Sequence, residues 1–118
     1  MPVTSMVLDE VLPHLAERGV CQDDESRMEP LVDPNDGREA GLLIVSPLGR
    51  LVVTKRDEPV LSLGDVSHVR QMMIRARARR ALLYVPLQTT IANPVMLLAT
   101  LSKIEIVRLA AARNEILA

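Results

Sequence analysis

The alternation of apolar and polar positions is clearest in the middle of the chain. Two short apolar runs there lie on either side of a turn that contains Pro47 and Gly49. Proline fixes φ at the corner of a turn, and glycine takes a positive φ that other residues resist. The pattern therefore predicts a β-hairpin, with strands over 41–46 and 51–56 joined by a turn over 47–50.

Helical periodicity is strongest in the segment that follows the hairpin. Apolar residues fall on one face, at about 100° per residue, from Val66 to Ala76. Ser62 or Asp65 can cap the first turn of this segment. The pattern predicts a helix that runs to about Arg80.

The alternation of elements continues towards both ends of the chain. The C-terminal pattern predicts a strand over 81–86, a helix over 91–102 capped by Thr90, a strand over 104–107 and a closing helix over 108–117. At the N-terminal end, an apolar stripe from Met6 to Leu15 predicts a first helix. Residues 21–38 are polar and acidic and predict a mobile loop, in which a short strand around 29–32 is an option.

These elements follow one another in the order α-(β)-β-β-α-β-α-β-α. A hairpin followed by βα units implies an α/β fold, in which a small mixed central sheet of four or five strands is flanked by helices. The chain has 118 residues, a length that suits a single domain over 1–118.

The amino-acid composition excludes several classes of protein. Hydrophobic residues make up 48% of the chain, enough for a core, and Tyr84 is its one aromatic residue. A single cysteine, Cys21, excludes an internal disulfide and a cysteine-based zinc site, and it suits a reducing compartment. No apolar run approaches the roughly 18 residues of a membrane span, and we see no signal-peptide pattern. We therefore expect a cytoplasmic protein without a membrane partner.

Basic residues are unevenly distributed, although the formal net charge is only −1. Arginines cluster in and after the predicted long helix, with one more after the hairpin: Arg56, Arg70, Arg75, Arg77, Arg79 and Arg80. Arginine suits phosphate because its planar fork can bind two oxygens, so these residues are candidates for nucleic-acid binding. Two other readings are a solvated helix face, or a dimer contact made by Arg70, Arg77 and the methionine face of the helix.

A second group of residues suggests metal-dependent chemistry. Asp36 and Glu39 precede the first hairpin strand, and Lys55 ends the second. Two carboxylates can hold Mg²⁺ against a phosphodiester, while a lysine stabilises the charge that develops during cleavage. The simpler interpretation is that Asp36 is a turn residue and that Glu39 and Lys55 lie on a solvated rim of the fold. The spacing of the residues alone favours this simpler interpretation. His68 is interpreted as a surface histidine.

Several runs of residues, taken together, resemble the restriction-endonuclease-like family, and in particular its Mrr-type branch, which cuts modified DNA. The runs that carry the resemblance are Asn35–Val45, Leu51–Arg56, Pro59–Val60, Asp65–Val66, Val69–Gln71, Ala81–Val85, Thr89–Thr90 and Ile104–Val107. They extend over most of the chain, from residue 35 to residue 107. The resemblance implies a restriction-endonuclease-like sheet with a divalent metal site on the hairpin.

The chain departs from the family at the residues that would bind the metal. Lys55 matches the family's lysine, but Val53 stands where a carboxylate or amide is expected two residues earlier. The metal-binding aspartate aligns near Ala40. Glu39 is one residue away, and it can replace that aspartate only if a bulge or a loop corrects the alternation of the strand. The resemblance therefore implies a degenerate active site.

Three functions follow as hypotheses. The first is a catalytically inactive nuclease-like domain that binds nucleic acid, with duplex DNA favoured, or assembles with a partner. The second is an active nuclease that requires Mg²⁺, with Asp36 or Glu39 at the metal and Lys55 as the catalytic lysine. The third is a structural module that forms homodimers or larger assemblies. We expect no cofactor other than Mg²⁺, and that only in the second case.

Overall fold

The computed structural model describes residues 27–33, 37, 39–47 and 49–109, with Glu39 described by its backbone. The elements, in chain order, are β1 Arg27–Val32, β2 Glu39–Ser46, β3 Gly49–Lys55, β4 Val60–Leu61, α1 Leu63–Ala76, β5 Arg80–Pro86, β6 Thr90–Ile91, α2 Asn93–Leu101 and β7 Ile104–Leu109. This is a mixed α/β structure. The predicted first helix, and the part of the predicted last helix beyond residue 109, lie outside the described residues.

Five of the strands form one mixed sheet in the order β1-β2-β3-β5-β7. The first three strands pair antiparallel, whereas β3, β5 and β7 run parallel to one another. Parallel neighbours need a crossover, and α1 and α2 lie in the two crossovers. The short strands β4 and β6 pair separately, also in parallel. The carboxyl ends of β3, β5 and β7 consequently share one edge of the sheet, and their amino ends share the other.

The predicted hairpin is confirmed, but its turn is shorter than predicted, because β3 begins at Gly49 and not at residue 51, and it ends at Lys55. β2 and β3 pair in register from Gly41 with Thr54 to Ser46 with Gly49, and Gly49 has a φ of +135°. Gly41 has a steric role, because a β-carbon at this position would overlap the backbone oxygen of Val53 on the neighbouring strand. The turn and the close approach of the two strands thus both depend on glycine.

The predicted long helix is α1, and its start is well defined. Ser62 Oγ accepts a hydrogen bond from the Asp65 amide at 3.1 Å, and Asp65 Oδ2 accepts one from the Ser62 amide at 2.9 Å. This is a capping box, which satisfies two amides that the first turn would otherwise leave unpaired. Buried residues on α1 are Val66, Val69, Met72, Met73 and Ala76. The methionine face proposed above as a dimer contact therefore belongs to the core.

The end of α1 corrects the sequence prediction, which extended the helix to Arg80. Arg77 has a φ of +58° and a ψ of +36°, in the left-handed region. Its amide donates to Ile74 O at 3.2 Å, and the Ala78 amide donates to Met73 O at 2.9 Å. This pair of bonds is the Schellman motif, which ends a helix and usually has glycine in the left-handed position. Because the chain turns here, Arg80 lies in β5.

Two further boundaries differ from the predictions. α2 begins at Asn93 and its N-cap is Ala92, which makes no side-chain cap, while the predicted cap Thr90 pairs with Val60 in the β4–β6 ladder. β7 extends to Leu109, so Arg108 is a strand residue, not the start of a helix. The short strand predicted around 29–32 is confirmed as part of β1.

The core has two parts, one on each face of the sheet. On the first face the strands pack with α1 and α2, and Leu43, Val52 and Leu83 belong to this part. The residues of the second face are Leu42, Ile44, Val53, Leu82, Tyr84 and Leu109. Tyr84 is fully buried. In the described part of the chain, no helix is long and apolar enough to cross a membrane.

Candidate functional site

Lys55 ends β3 at the carboxyl edge of the sheet, beside Tyr84 of β5. Its side chain is only 10% exposed, and Nζ lies 3.0 Å from Oδ1 of Asp57, an exposed residue. Such an ion pair holds the ammonium group at the edge, next to the start of the loop that leads to α1. The predicted position of Lys55, at the rim of the sheet, is therefore what the structure shows.

The next residue, Arg56, contacts a histidine that the sequence placed on the surface. The Arg56 amide donates to Tyr84 O at 2.9 Å, and its guanidinium group contacts Nδ1 of His68. On the other side of the ring, His68 Nε2 lies 3.0 Å from Oδ2 of Asp33. The imidazole ring therefore bridges a guanidinium group and a carboxylate.

This chain of contacts joins three separate segments. Asp33 follows β1, Arg56 follows β3, and His68 lies in the second turn of α1. The side chains of His68 and Asp33 are 22% and 15% exposed, so the interaction is largely shielded from water. The prediction that His68 is a surface residue is therefore wrong. Sequence reasoning missed this cluster because no spacing links Asp33 to His68; only the packing of α1 brings them together.

Arg108 completes the carboxyl edge and orders the loop after β5. Its guanidinium group donates to Leu87 O at 3.0 Å and to Thr89 O at 2.5 Å. Thr89 is buried, and its hydroxyl donates to Glu58 O at 2.8 Å. The threonine loop is therefore held by internal hydrogen bonds. The cations described at this edge, Lys55, Arg56 and Arg108, each contact groups of the protein itself.

The metal-binding residues proposed from the sequence are only partly described. Asp36 lies outside the described residues. Glu39 pairs with Val32 while Gly41 pairs with Leu31, so Ala40 is an extra residue in β2. This irregularity is the bulge that the sequence analysis required for position 39 to replace position 40. Thr54 Oγ1 donates to Ala40 O at 2.7 Å and thereby ties the bulge to β3.

Position 53 offers no ligand for a metal. Side chains alternate along a strand, so Val53 and Lys55 belong to the same face of the sheet. Val53 is 2% exposed and lies in the core of that face, in the cluster that contains Leu82 and Tyr84. No group of three or more His, Cys, Asp or Glu side chains within the described ranges is arranged to hold a metal ion. The donors described here therefore do not fit a divalent metal.

The structure distributes the predicted nucleic-acid-binding arginines over different places. Arg56 lies with Lys55 at the carboxyl edge, and Arg70 is exposed along α1. The other four, Arg75, Arg77, Arg79 and Arg80, lie at or near the amino edge. Arg80 pairs with Leu51 and Tyr84 pairs with Lys55. The two edges are thus separated by four residues of strand, or about 13 Å.

Comparisons with known proteins support the fold. No family model matches the chain, and no curated protein matches it. Among solved structures, the chain is similar to SfsA of Pyrococcus furiosus in complex with Ca²⁺, with a TM-score of 0.52 and 12% sequence identity. The similarity covers 90% of this chain and 57% of the SfsA chain. At 12% identity, the similarity is evidence for the fold alone. This chain spans little more than half the length of the SfsA chain.

Proposed function

We propose that this protein is a nuclease-like domain that binds nucleic acid and does not cleave it. The proposal combines the restriction-endonuclease-like order of motifs with the mixed sheet that the chain forms. It assigns Lys55 to the position of the family's catalytic lysine. Binding without cleavage is favoured because the lysine has lost the metal ligand that should accompany it.

The observation that carries the proposal is the burial of Val53. A carboxylate or amide at this position would have to face the metal, together with the lysine two residues later. Val53 instead packs in the core cluster of its face and is 2% exposed. An ionised carboxylate in such surroundings would lose its hydration, at a cost of several kcal/mol unless it were paired. The sheet around position 53 thus favours an apolar residue.

A second candidate function, cleavage that depends on Mg²⁺, is favoured by one feature. The bulge at Ala40 supports it, because Glu39 and not Ala40 pairs with Val32, and the structure of the fold neighbour SfsA contains Ca²⁺. A site of this kind would rely on Glu39 and Asp36 for the metal and on Lys55 for charge stabilisation. It would have to work without a ligand from position 53.

Assembly with a partner or with a second copy is the remaining hypothesis. α2 exposes apolar side chains at Met96, Leu97 and Leu101. Such a contact would use exposed side chains of this kind and not the buried methionines of α1. Light scattering over a range of concentrations would test it, since self-association raises the mean mass with concentration.

The experiment for nucleic-acid binding is a titration of a labelled duplex, followed by fluorescence anisotropy at several salt concentrations. We expect binding that weakens steeply between about 50 and 200 mM salt, because neutralising phosphates releases counterions. Binding that does not change with salt, or no binding at the lowest concentration, would rule the function out. The same samples, incubated with Mg²⁺ or Mn²⁺ and run on a denaturing gel, separate binding from cleavage.

A further inference from the structure

The amino edge of the sheet carries a row of cations that are exposed on three neighbouring strands. Arg50 is at the start of β3, Arg79 immediately precedes β5 and Arg80 begins it, and Lys103 immediately precedes β7. The register aligns them, because Leu51 pairs with Arg80 and Ala81 pairs with Ile104. Neighbouring strands are about 4.8 Å apart, so the row is continuous.

Two more arginines extend this row at the end of α1. Arg75 is exposed in the last turn, and Arg77 follows the helix. Arg50 reaches the same place, because its guanidinium group donates to Ala76 O at 3.1 Å. We call the six residues the cationic edge: Arg50, Arg75, Arg77, Arg79, Arg80 and Lys103.

The backbone conformation of this edge is unusual. Arg77 and Lys103, with φ of +58° and +64°, are the two non-glycine residues with positive φ in the described chain. Glycine is favoured in such conformations, yet both positions hold a long cationic side chain. A conformation that the residue type disfavours is a reason to look for a role of the side chain. Here both such residues add charge to the same surface.

The balance of charge also differs between the two edges. At the carboxyl edge, Lys55 contacts Asp57 and Arg56 contacts His68, with Glu58 and Asp65 nearby in the same loop and first helical turn. Acidic residues described near the cationic edge are Glu29, which is paired with Arg27 at 2.6 Å, and Glu105 on β7. Among the residues that the structure describes, positive charge therefore exceeds negative charge at the amino edge.

The geometry points to the cationic edge as the surface that binds the nucleic acid, through the backbone phosphates of a duplex; this inference rests on the proposed function. Arginine and lysine neutralise phosphates without reading base sequence. Binding of single strands usually adds aromatic side chains on which bases stack. The one aromatic residue of this chain, Tyr84, is fully buried in the sheet. A duplex, whose phosphates are exposed and whose bases are stacked internally, suits this surface better.

The test compares two double variants that lower the net charge by the same amount. Arg79→Gln with Lys103→Gln removes two cations from the cationic edge, whereas Ser67→Glu with Gln88→Glu adds two negative charges at exposed positions away from that edge. We expect the first variant to bind a labelled duplex at least tenfold more weakly, with a log–log salt slope shallower by about two. The second variant should stay within about twofold of wild type. Wild-type protein should also prefer the duplex over a single strand of equal length.

The outcomes separate this inference from the function on which it rests. Loss of binding in the second variant only would overturn the cationic edge and leave nucleic-acid binding in place at the carboxyl edge of the sheet. Equal losses in both variants would also overturn it, since the effect would follow net charge. If the wild-type protein binds no duplex at low salt, both the inference and the proposed function fail. Circular dichroism of each variant checks that the fold is retained.

Discussion

Val53 and Lys55 lie two residues apart on the same face of β3, but in opposite environments. Val53 is 2% exposed in the apolar cluster around Tyr84, whereas Nζ of Lys55 reaches Asp57 at the end of the strand, 3.0 Å away. In the family that the sequence resembles, the corresponding pair combines a metal ligand with a lysine. In this chain the strand has a lysine at the edge of the sheet and a core residue two positions earlier.

Val53→Ala should therefore behave as a core truncation. Removing two buried methyl groups should lower the free energy of unfolding by about 2 kcal/mol, through lost burial and a residual cavity. Urea denaturation measures the change, and Val60→Ala is the matched control, because Val60 is 58% exposed and should change stability by less than about 0.5 kcal/mol. If Val53→Ala lowers the free energy of unfolding as little as Val60→Ala does, Val53 is not a core residue and position 53 lines an open site. That result would contradict the argument that this position favours an apolar residue over a metal ligand.

His68→Ala should destabilise the protein although His68 comes from a helix face that the sequence marks as polar. The substitution removes the ring that links Asp33 and Arg56, and the loss of hydrogen bonds to half-buried charged groups costs about 1–3 kcal/mol. Ser67→Ala, at the neighbouring exposed position of α1, should be close to neutral. A double-mutant cycle with Asp33→Ala isolates the pair; a coupling free energy near zero would contradict the contact.

Gly41→Ala should lower the stability of the protein, whereas Gly64→Ala should leave it unchanged or raise it. A β-carbon at position 41 overlaps the Val53 carbonyl oxygen, so the two central strands must separate and we expect a loss of at least about 2 kcal/mol. At position 64, in the first turn of α1, the added carbon meets only Ser62 Oγ at 3.6 Å, an ordinary contact. Alanine there should be neutral or stabilising by up to about 1 kcal/mol. Thermal unfolding of both variants measures the two changes in stability. If Gly41→Ala is as stable as the wild-type protein, the close pairing of β2 and β3 is contradicted.

Arg77→Gly should raise stability and weaken nucleic-acid binding at the same time. Glycine removes the strain of a left-handed residue at the end of α1, a gain of about 1 kcal/mol. It also removes one cation from the cationic edge, which should make the salt slope of duplex binding shallower by about one. Calorimetry and anisotropy on one preparation give both quantities. A variant that is more stable and binds as wild type does would mean that Arg77 does not contact phosphate.

The sequence predicts the hairpin and the start of α1 because both depend on local chemistry. Pro47 and Gly49 specify the turn, and Ser62 and Asp65 form a capping box within four residues. The end of α1 is predicted too late because an arginine, not a glycine, occupies the left-handed position at residue 77. Apolar and basic residues continue beyond it, so the pattern contains no signal for the turn.

The candidate site is less accessible to such reasoning because it depends on packing between distant segments. The pairing of β3 with β5 separates Arg80 from Lys55, although both belong to basic runs in the sequence. The contact between Asp33 and His68 arises only when α1 lies across the sheet. The bulge at Ala40 could be stated as a condition from the sequence, but its presence depends on the register of β1 against β2.

Binding without cleavage is tested most directly by one incubation of wild-type protein with a labelled duplex, at low salt, with Mg²⁺ or Mn²⁺ present. Bound and free duplex are quantified by anisotropy, and the same samples are then denatured and separated on a gel. We predict a bound fraction that falls steeply as salt is raised, and duplex of unchanged length at every time point. Shortened products that disappear in Lys55→Ala would contradict the proposal and show an active nuclease instead.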